Sequence, residues 1–243
     1  MKHAKRHPLI FGTIILTATG LITRVIGFFY RIYLSRLFGE EGMGIYQLLS
    51  PALSLSFSLT AAGYQTAISK YVAADSAKRP SGNLKPLLAG ISITLPLSLV
   101  TNAILFFSAD PIGIFLLKDH RTVPMLRILS FSVPFAALHA CINGYFYGKK
   151  KASVPALTQL LEQLARVSCV FLVTGADLSE GRTPSINAAV LGLTVGEIFS
   201  MLIALVCLYI HLYPDSSILS LQNICPSVPV YRDLLGMALP LTA

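Results

Sequence analysis

Six long apolar runs constrain this chain more than any other feature. They fall at about residues 10–32, 45–70, 86–108, 123–147, 154–175 and 186–212. Each exceeds the roughly 20 residues a helix needs to cross the hydrocarbon core of a bilayer. A membrane β-barrel would show strands alternating with period two, whereas these runs are continuous. The fold class is therefore all-α, a polytopic helical membrane protein. The links carry turn-forming and charged residues, as in GEEGMG (39–44), DSAKRPSGN (75–83), KDHRTVP (118–124), GKKKASVP (148–155) and DLSEGRTP (177–184). None has room for a soluble domain. Charged residues make up 12% of the chain, about half the usual share in a soluble domain, and the mean hydropathy is +0.68.

The formal charge of +8 is read as membrane topology rather than nucleic-acid binding, because membrane proteins concentrate Lys and Arg in cytoplasmic loops. With the N-terminus inside, one set of segments holds Lys2, Lys5, Arg6, Lys70, Lys78, Arg79, Lys85, Lys149 to Lys151 and Arg232. The other side holds only Arg31, Arg36, Lys118, Arg121 and Arg182, while Arg24, Arg127 and Arg166 lie within or near the spans. The bias predicts a cytoplasmic N-terminus. Its MKHAKRHP start resembles a signal peptide, but the following run continues to Arg36 without a small-x-small cleavage site, so it reads as a retained first helix. Cys141, Cys169, Cys207 and Cys225 have no CxxC spacing and read as small hydrophobes, with neither disulfides nor zinc. The expected organisation is a six-helix lobe over 1–213. Residues 214–243 would then be a linker and the truncated start of a seventh helix, YRDLLGMALPLTA, making the sequence a fragment or a truncated product.

Polar residues inside apolar spans are costly and therefore informative. Gly20, Arg24, Gly27 and Arg31 share one helical face. A guanidinium cannot shed its charge, and placing it against lipid costs about 2.5–3.5 kcal/mol on insertion scales. Arg24 points to a bundle interior or water-filled cavity, with a structural ion pair as the alternative. Arg31 fits the same cavity or snorkels to the interface. In the fifth span Gln159, Glu162, Gln163 and Arg166 recur at i, i+3, i+4 and i+7, with Glu162 and Arg166 oriented for an intrahelical pair. That pair either neutralises itself or belongs to a wet interior face.

In the second span Gln47, Ser50, Ser54 and Ser58 share a face that fits helix packing. Pro51 and Pro134 predict bends. His139 and Asn143 fit a satisfied i, i+4 contact, with a proton site as the lesser alternative, and Glu197 is a lone carboxylate, either inert or coupled to a cation. Ala188, Gly192, Gly196 and Ser200 form a small-residue stripe suited to close helix contact. The sequence has no H-E-x-x-H, G-x-S-x-G or Walker A motif and no catalytic constellation, so neither an enzyme nor a cofactor is expected.

Three stretches in order, RVIGFFYRIYLSRLFGEEGMGIYQLLSP, GYQTAISKYVA and GYFYGKKKASVPALTQLLEQLARV, resemble the multidrug/oligosaccharidyl-lipid/polysaccharide flippase superfamily. Within it they are most similar to polysaccharide biosynthesis proteins of the stage V sporulation protein B type. The resemblance implies the N-terminal lobe of a MATE-like transporter, in which two six-helix lobes form a V around a cavity. It implies alternating-access movement of undecaprenyl-pyrophosphate-linked oligosaccharide or peptidoglycan precursors across the bacterial cytoplasmic membrane, for spore cortex or cell wall. The partners it implies are the lipid-linked glycan precursor, the bilayer and a missing C-terminal lobe. Arg24 matches the family's first-helix S/T-R-x-x-G-F arginine, implied to meet the pyrophosphate, and Arg166 matches its fifth-helix E-Q-x-x-R arginine. No role transfers to Arg31, which stands one position later than its counterpart in some precursor flippases. Gln65 stands where relatives often carry proline, so no proline kink is implied there. The rival expectations are a cation-coupled multidrug exporter, a non-transporting scaffold for cell-wall synthesis and, last, a membrane-embedded transferase.

Overall fold

The computed structural model describes residues 8–78, 84–213 and 228–242, and every long element among them is helical. The expected linker 214–227, Cys225, Lys2, Lys5, Arg6 and Arg79 lie outside the described residues. The chain runs through α1 (Pro8–Leu48), α2 (Ser50–Phe57), a π-helical turn (Ser58–Ala62) and α3 (Gly63–Lys78). It continues through α4 (Lys85–Phe107), the single turn α5 (Ala109–Pro111), a second π-helical turn (Ile112–Leu116), α6 (Thr122–Ser130) and α7 (Ser132–Gly148). The last elements are α8 (Ser153–Ser179), α9 (Asn187–Leu212) and α10 (Val228–Thr242).

Among the described residues, five stretches are long and apolar enough to cross a membrane: Gly12–Ser76, Lys85–Phe107, Thr122–Gly148, Ser153–Ser179 and Asn187–Leu212. The first contains two of the six expected spans, because the chain folds back within α1. A straight helix would hold residues 31 and 47 roughly 24 Å apart, yet Arg31 and Gln47 line the same cavity. The fold-back occurs at Gly39, whose φ of 69° and ψ of −176° lie in a region open essentially to glycine alone. The sequence reading placed a loop over 39–44. The structure keeps residues 40–48 helical, so the second arm begins immediately after the glycine.

The other irregularities also have local causes. Helices break at Leu49 and Phe131, two and three residues before Pro51 and Pro134, where the proline ring would collide with the carbonyl four positions back. The second arm also carries the π-helical turn 58–62, so it is irregular without the proline that Gln65 replaces. Contrary to the packing expectation, Ser50 and Ser54 are exposed, and Ser56 and Thr60 are the buried hydroxyls there.

The core centres on α7, whose Cys141, Ile142, Tyr145 and Phe146 pack with Ile68, Val72 and Leu87. Helix α10 joins this core through Val230, Leu234 and Ala238, and Ser92 Oγ lies 3.0 Å from the Tyr231 hydroxyl. It runs for 15 residues and begins three residues before the YRDLLGMALPLTA stretch. The outside is apolar, with Phe28, Phe29, Phe107 and Leu172 each more than 60% exposed. Such a surface is suited to lipid and marks a multi-pass membrane protein. Ion pairs gather near Gly39, where Arg121 meets Glu41 at 2.6 Å and Arg127 meets Asp110 at 2.6 Å. Cys141, Cys169 and Cys207 are free.

Two packing details position the polar side chains. The small stripe Ala188, Gly192, Gly196 and Ser200 is fully buried. A methyl group on Gly196 would stand 3.1 Å from the Glu162 carbonyl oxygen, and one on Gly192 would stand 3.0 Å from that of Arg166. Helix α9 therefore touches the backbone of the polar turn of α8. On the opposite side, α1 meets α8 through Tyr33, which bonds Thr174 Oγ1 at 2.7 Å and stacks on Phe171 at 4.1 Å.

Candidate functional site

Helices α1 and α8 bring their polar faces to a shared cleft of about 430 Å³. Arg24, Gly27 and Arg31 line it from α1, and Gln163 and Arg166 line it from α8. Gly27 leaves the wall thin, since a methyl there would meet Gln163 Nε2 at 3.5 Å. Arg24 and Arg31 are exposed to the cleft, and among the described residues no carboxylate lines it. The salt bridges among the described residues include neither arginine. The alternative of a structural ion pair for Arg24 is thus not what the described residues form. A second cleft of about 420 Å³ shares Arg31 and Tyr46 with the first and adds Gln47 and Ser50.

The other half of the α8 stripe faces elsewhere. Gln159 and Glu162 line a cavity of about 270 Å³ together with His139, Asn143 and Glu197. Glu197 also borders a neighbouring space lined by Ser54, Ser56, Thr60 and Ser132. The Glu162–Arg166 ion pair joins the two regions, its side chains only 17% and 20% exposed. The predicted site residues therefore fall into an arginine cleft (Arg24, Arg31, Gln163, Arg166), the adjoining cleft that holds Gln47, and a carboxylate cavity (Gln159, Glu162, Glu197).

The sequence pattern pairs His139 with Asn143 alone and gives no sign of its place beside Glu162 and Glu197. Its i, i+4 contact with Asn143 exists, at 2.7 Å from Nδ2 to Nε2, but the ring does more than satisfy that amide. His139 Nδ1 stands 3.5 Å from Glu197 Oε2. One atom each from His139, Glu162 and Glu197 lie within 4.8 Å of one another. With Arg166 on Glu162, the cluster retains a single negative charge for a cation, which suits a proton or a monovalent ion and not a divalent metal. Three enclosed polar atoms have no hydrogen-bond partner here: Tyr30 Oη, Arg166 Nε and Glu197 Oε2. For Glu197 the His139 nitrogen is close enough for charge interaction but too distant for a strong hydrogen bond.

Ser200, His139 and Glu197 invite comparison with a hydrolytic triad, and the geometry rejects it. Ser200 Oγ lies 3.2 Å from Nδ1 and 2.9 Å from Nε2 at once, so it is aligned with neither lone pair. It is also fully buried, beyond the reach of a substrate. What the site offers is binding: guanidinium groups for an oxyanion on one side, and carboxylates with an imidazole for a positive charge on the other.

Residues 9–233 match the polysaccharide biosynthesis protein family. Stage V sporulation protein B of Bacillus subtilis (strain 168) is 34% identical over 232 residues, which are 95% of this chain and 45% of that protein. Lipid II flippase MurJ of the same organism is 27% identical over 179 residues, 70% of this chain and 32% of that protein. The chain thus spans less than half the length of these relatives. A MOP superfamily transporter from Pyrococcus furiosus, noted for a binding pocket of reverse polarity, superposes with a TM-score of 0.73 at 17% identity over 97% of this chain and 51% of its own. An outward-facing multidrug resistance MATE family transporter superposes with a TM-score of 0.71 at 16% identity, over 98% and 53% respectively. At such identities the structures establish the fold, which here corresponds to one half of the MATE-like architecture. With the family match running almost from end to end, the chain belongs to the polysaccharide biosynthesis protein family.

Proposed function

We propose that the protein to which this chain belongs moves an undecaprenyl-pyrophosphate-linked oligosaccharide or peptidoglycan precursor across the cytoplasmic membrane, and that this lobe holds the pyrophosphate. The observation that carries the reading is the cleft shared by Arg24, Arg31 and Arg166, lined by no carboxylate among the described residues. Pyrophosphate is a compact anion with many acceptor oxygens, and guanidinium groups bind such oxygens bidentately with charge assistance. Arg24 and Arg31 stand ready, Arg166 contributes from across the cleft, and Gln163 and Gln47 supply amides around the headgroup. The isoprenoid tail stays in lipid while a second lobe, rocking against this one, exposes the cleft to each side in turn. The Lys and Arg bias of the links supports a cytoplasmic N-terminus. The names of the flippase and sporulation relatives support the precursor class and a role in spore cortex or cell wall.

Complementation in cells by the full-length protein tests the reading. Arg24→Ala abolishes activity and Arg24→Lys retains only part of it, because an ammonium keeps the charge and loses the fork. Full activity in both variants refutes the pyrophosphate role. A second reading, a cation-coupled multidrug exporter, draws on the paired carboxylates Glu162 and Glu197. Protection of cells against cationic drugs by the same protein would favour it.

A further inference from the structure

We propose that His139 and Glu197 hold one exchangeable proton, and that Glu162 moves between this pair and Arg166, so that proton binding and anion binding in the arginine cleft reinforce each other. The inference rests on the reading of that cleft as an anion site.

Charge balance comes first. Glu162 and Glu197 bring two negative charges, and Arg166 neutralises one of them. Glu197 keeps an enclosed oxygen with no hydrogen-bond partner, 3.5 Å from an imidazole nitrogen. The cluster is therefore one positive charge short, and an uncompensated carboxylate in a desolvated setting is costly. His139 is nine-tenths buried but lines a cavity that water can enter, so a proton has a route to it.

The hydrogen bonds identify which proton is missing. Asn143 Nδ2 lies 2.7 Å from His139 Nε2 and can only donate, so Nε2 accepts and the ring proton resides on Nδ1, facing Glu197. This is the neutral ring. A proton arriving at Nε2 can be accepted by Ser200 Oγ, 2.9 Å away, or by the Asn143 oxygen once the amide turns away from its 3.4 Å contact with Thr158 Oγ1. The resulting imidazolium has Glu197 on one side and Glu162 within 4.8 Å. It competes with Arg166 for the Glu162 carboxylate.

Arg166 already has one unpartnered nitrogen. Released from Glu162, its guanidinium needs an oxyanion, and the cleft it lines with Arg24 is where one would sit. Linkage then requires the reverse effect: an anion that engages Arg166 frees Glu162 and raises the affinity of His139 for a proton. The remaining groups facing His139 do not supply this function. The second arm contributes Gln65 and Phe57, helix α7 contributes Tyr147, and α8 adds Gln159 beside Glu162.

Two measurements on the purified full-length protein in lipid nanodiscs test the proposal. In the first, ¹⁵N-labelled histidine is titrated by NMR without added anion, His139→Asn identifying the resonance. Glu197→Gln, nearly the same shape as the native residue, is expected to weaken proton binding at His139 at least tenfold. An unchanged titration overturns the proton site. In the second, calorimetry with inorganic pyrophosphate in two buffers of different ionisation enthalpy reads proton uptake on binding. Protons taken by pyrophosphate itself cancel between wild type and His139→Asn. The wild type is expected to take up more protons than His139→Asn or Glu162→Gln, and equal uptake in all three overturns the coupling. Failure of every form to bind pyrophosphate instead sinks the anion reading and the coupling with it, while the histidine titration still decides the proton site.

Discussion

Removing either partner of the Glu162–Arg166 pair does not have the same consequence, and the asymmetry is a quantitative test of the cluster. Both side chains are about four-fifths covered, being 17% and 20% exposed. Glu162→Gln leaves Arg166 beside a hydrated cleft with Glu197 nearby, and relieves the repulsion between the two carboxylates. Arg166→Gln leaves Glu162 and Glu197 charged within 4.8 Å of each other with no fixed cation. At an effective dielectric of about 20, that repulsion amounts to roughly 3 kcal/mol. Loss of a partly buried partner without new repulsion costs about 1 kcal/mol, toward the lower end for unsatisfied groups.

Both variants lose the pair and only Arg166→Gln keeps the repulsion, so it should destabilise the fold by roughly 3 kcal/mol more than Glu162→Gln. The double variant should be more stable than Arg166→Gln alone, a coupling that separates the pair from its surroundings. The assay is unfolding in mixed micelles by increasing SDS, followed by far-ultraviolet circular dichroism. Repeating it in mild acid adds a second criterion, because a proton on either carboxylate removes the repulsion and the Arg166→Gln deficit shrinks. Equal deficits in the two single variants, or an Arg166→Gln deficit that ignores pH, would show that Glu162 and Glu197 do not share a site.

Other consequences concern the fold. Gly39→Ala places a side chain at φ 69° and should cost about 1–3 kcal/mol, measurable by the same SDS unfolding. Gly192→Ala inserts a methyl 3.0 Å from the Arg166 carbonyl oxygen, whereas Gly175→Ala meets nothing within 4 Å. The first should lower stability and the second raise it by up to about 1 kcal/mol through helix propensity. At the end near Gly39, hydrogen bonds from the Arg121 side chain, then its backbone N–H, hold the Asp119 carboxyl below the usual carboxylate range. Its contribution is present above the unfolded-state value and lost as pH falls through the lowered one. Asp119→Asn should therefore cost stability at neutral pH but not in strong acid, as thermal melts at the two extremes would report.

The spans were legible because lipid imposes a strong length and hydropathy requirement on every crossing helix. Turns between them were less so. GEEGMG reads as a loop by composition, yet only Gly39 leaves helical geometry, and residues 40–48 continue the helix. Glu40, Glu41 and Met43 are good helix formers, so one glycine suffices to redirect the chain. The serines of the second arm show a different limit: Gln47, Ser50 and Ser54 are all exposed, as a shared face predicts, but they border clefts instead of a packed helix, which spacing alone does not distinguish. The π-helical turn left no proline to announce it.

The site was half legible, and the missing half depended on packing. Polar residues at helical spacing on α8 announced an inward face, but seven residues wind about two turns, enough to serve two cavities. Only the neighbouring helices determine where the division falls. His139 was hidden by its own satisfied contact with Asn143, while Glu197, 58 positions along the chain, shares no local pattern with it. What brings Glu197 to Glu162 is the stripe on α9, where Gly192 and Gly196 let its backbone touch that of α8. With larger residues there, the same two acids would stand farther apart on separate helices, each with its own hydration. The small residues therefore set how closely the two acids stand, and an alanine at Gly192, which pushes α9 from the Arg166 carbonyl, should narrow the gap in SDS stability between Arg166→Gln and Glu162→Gln.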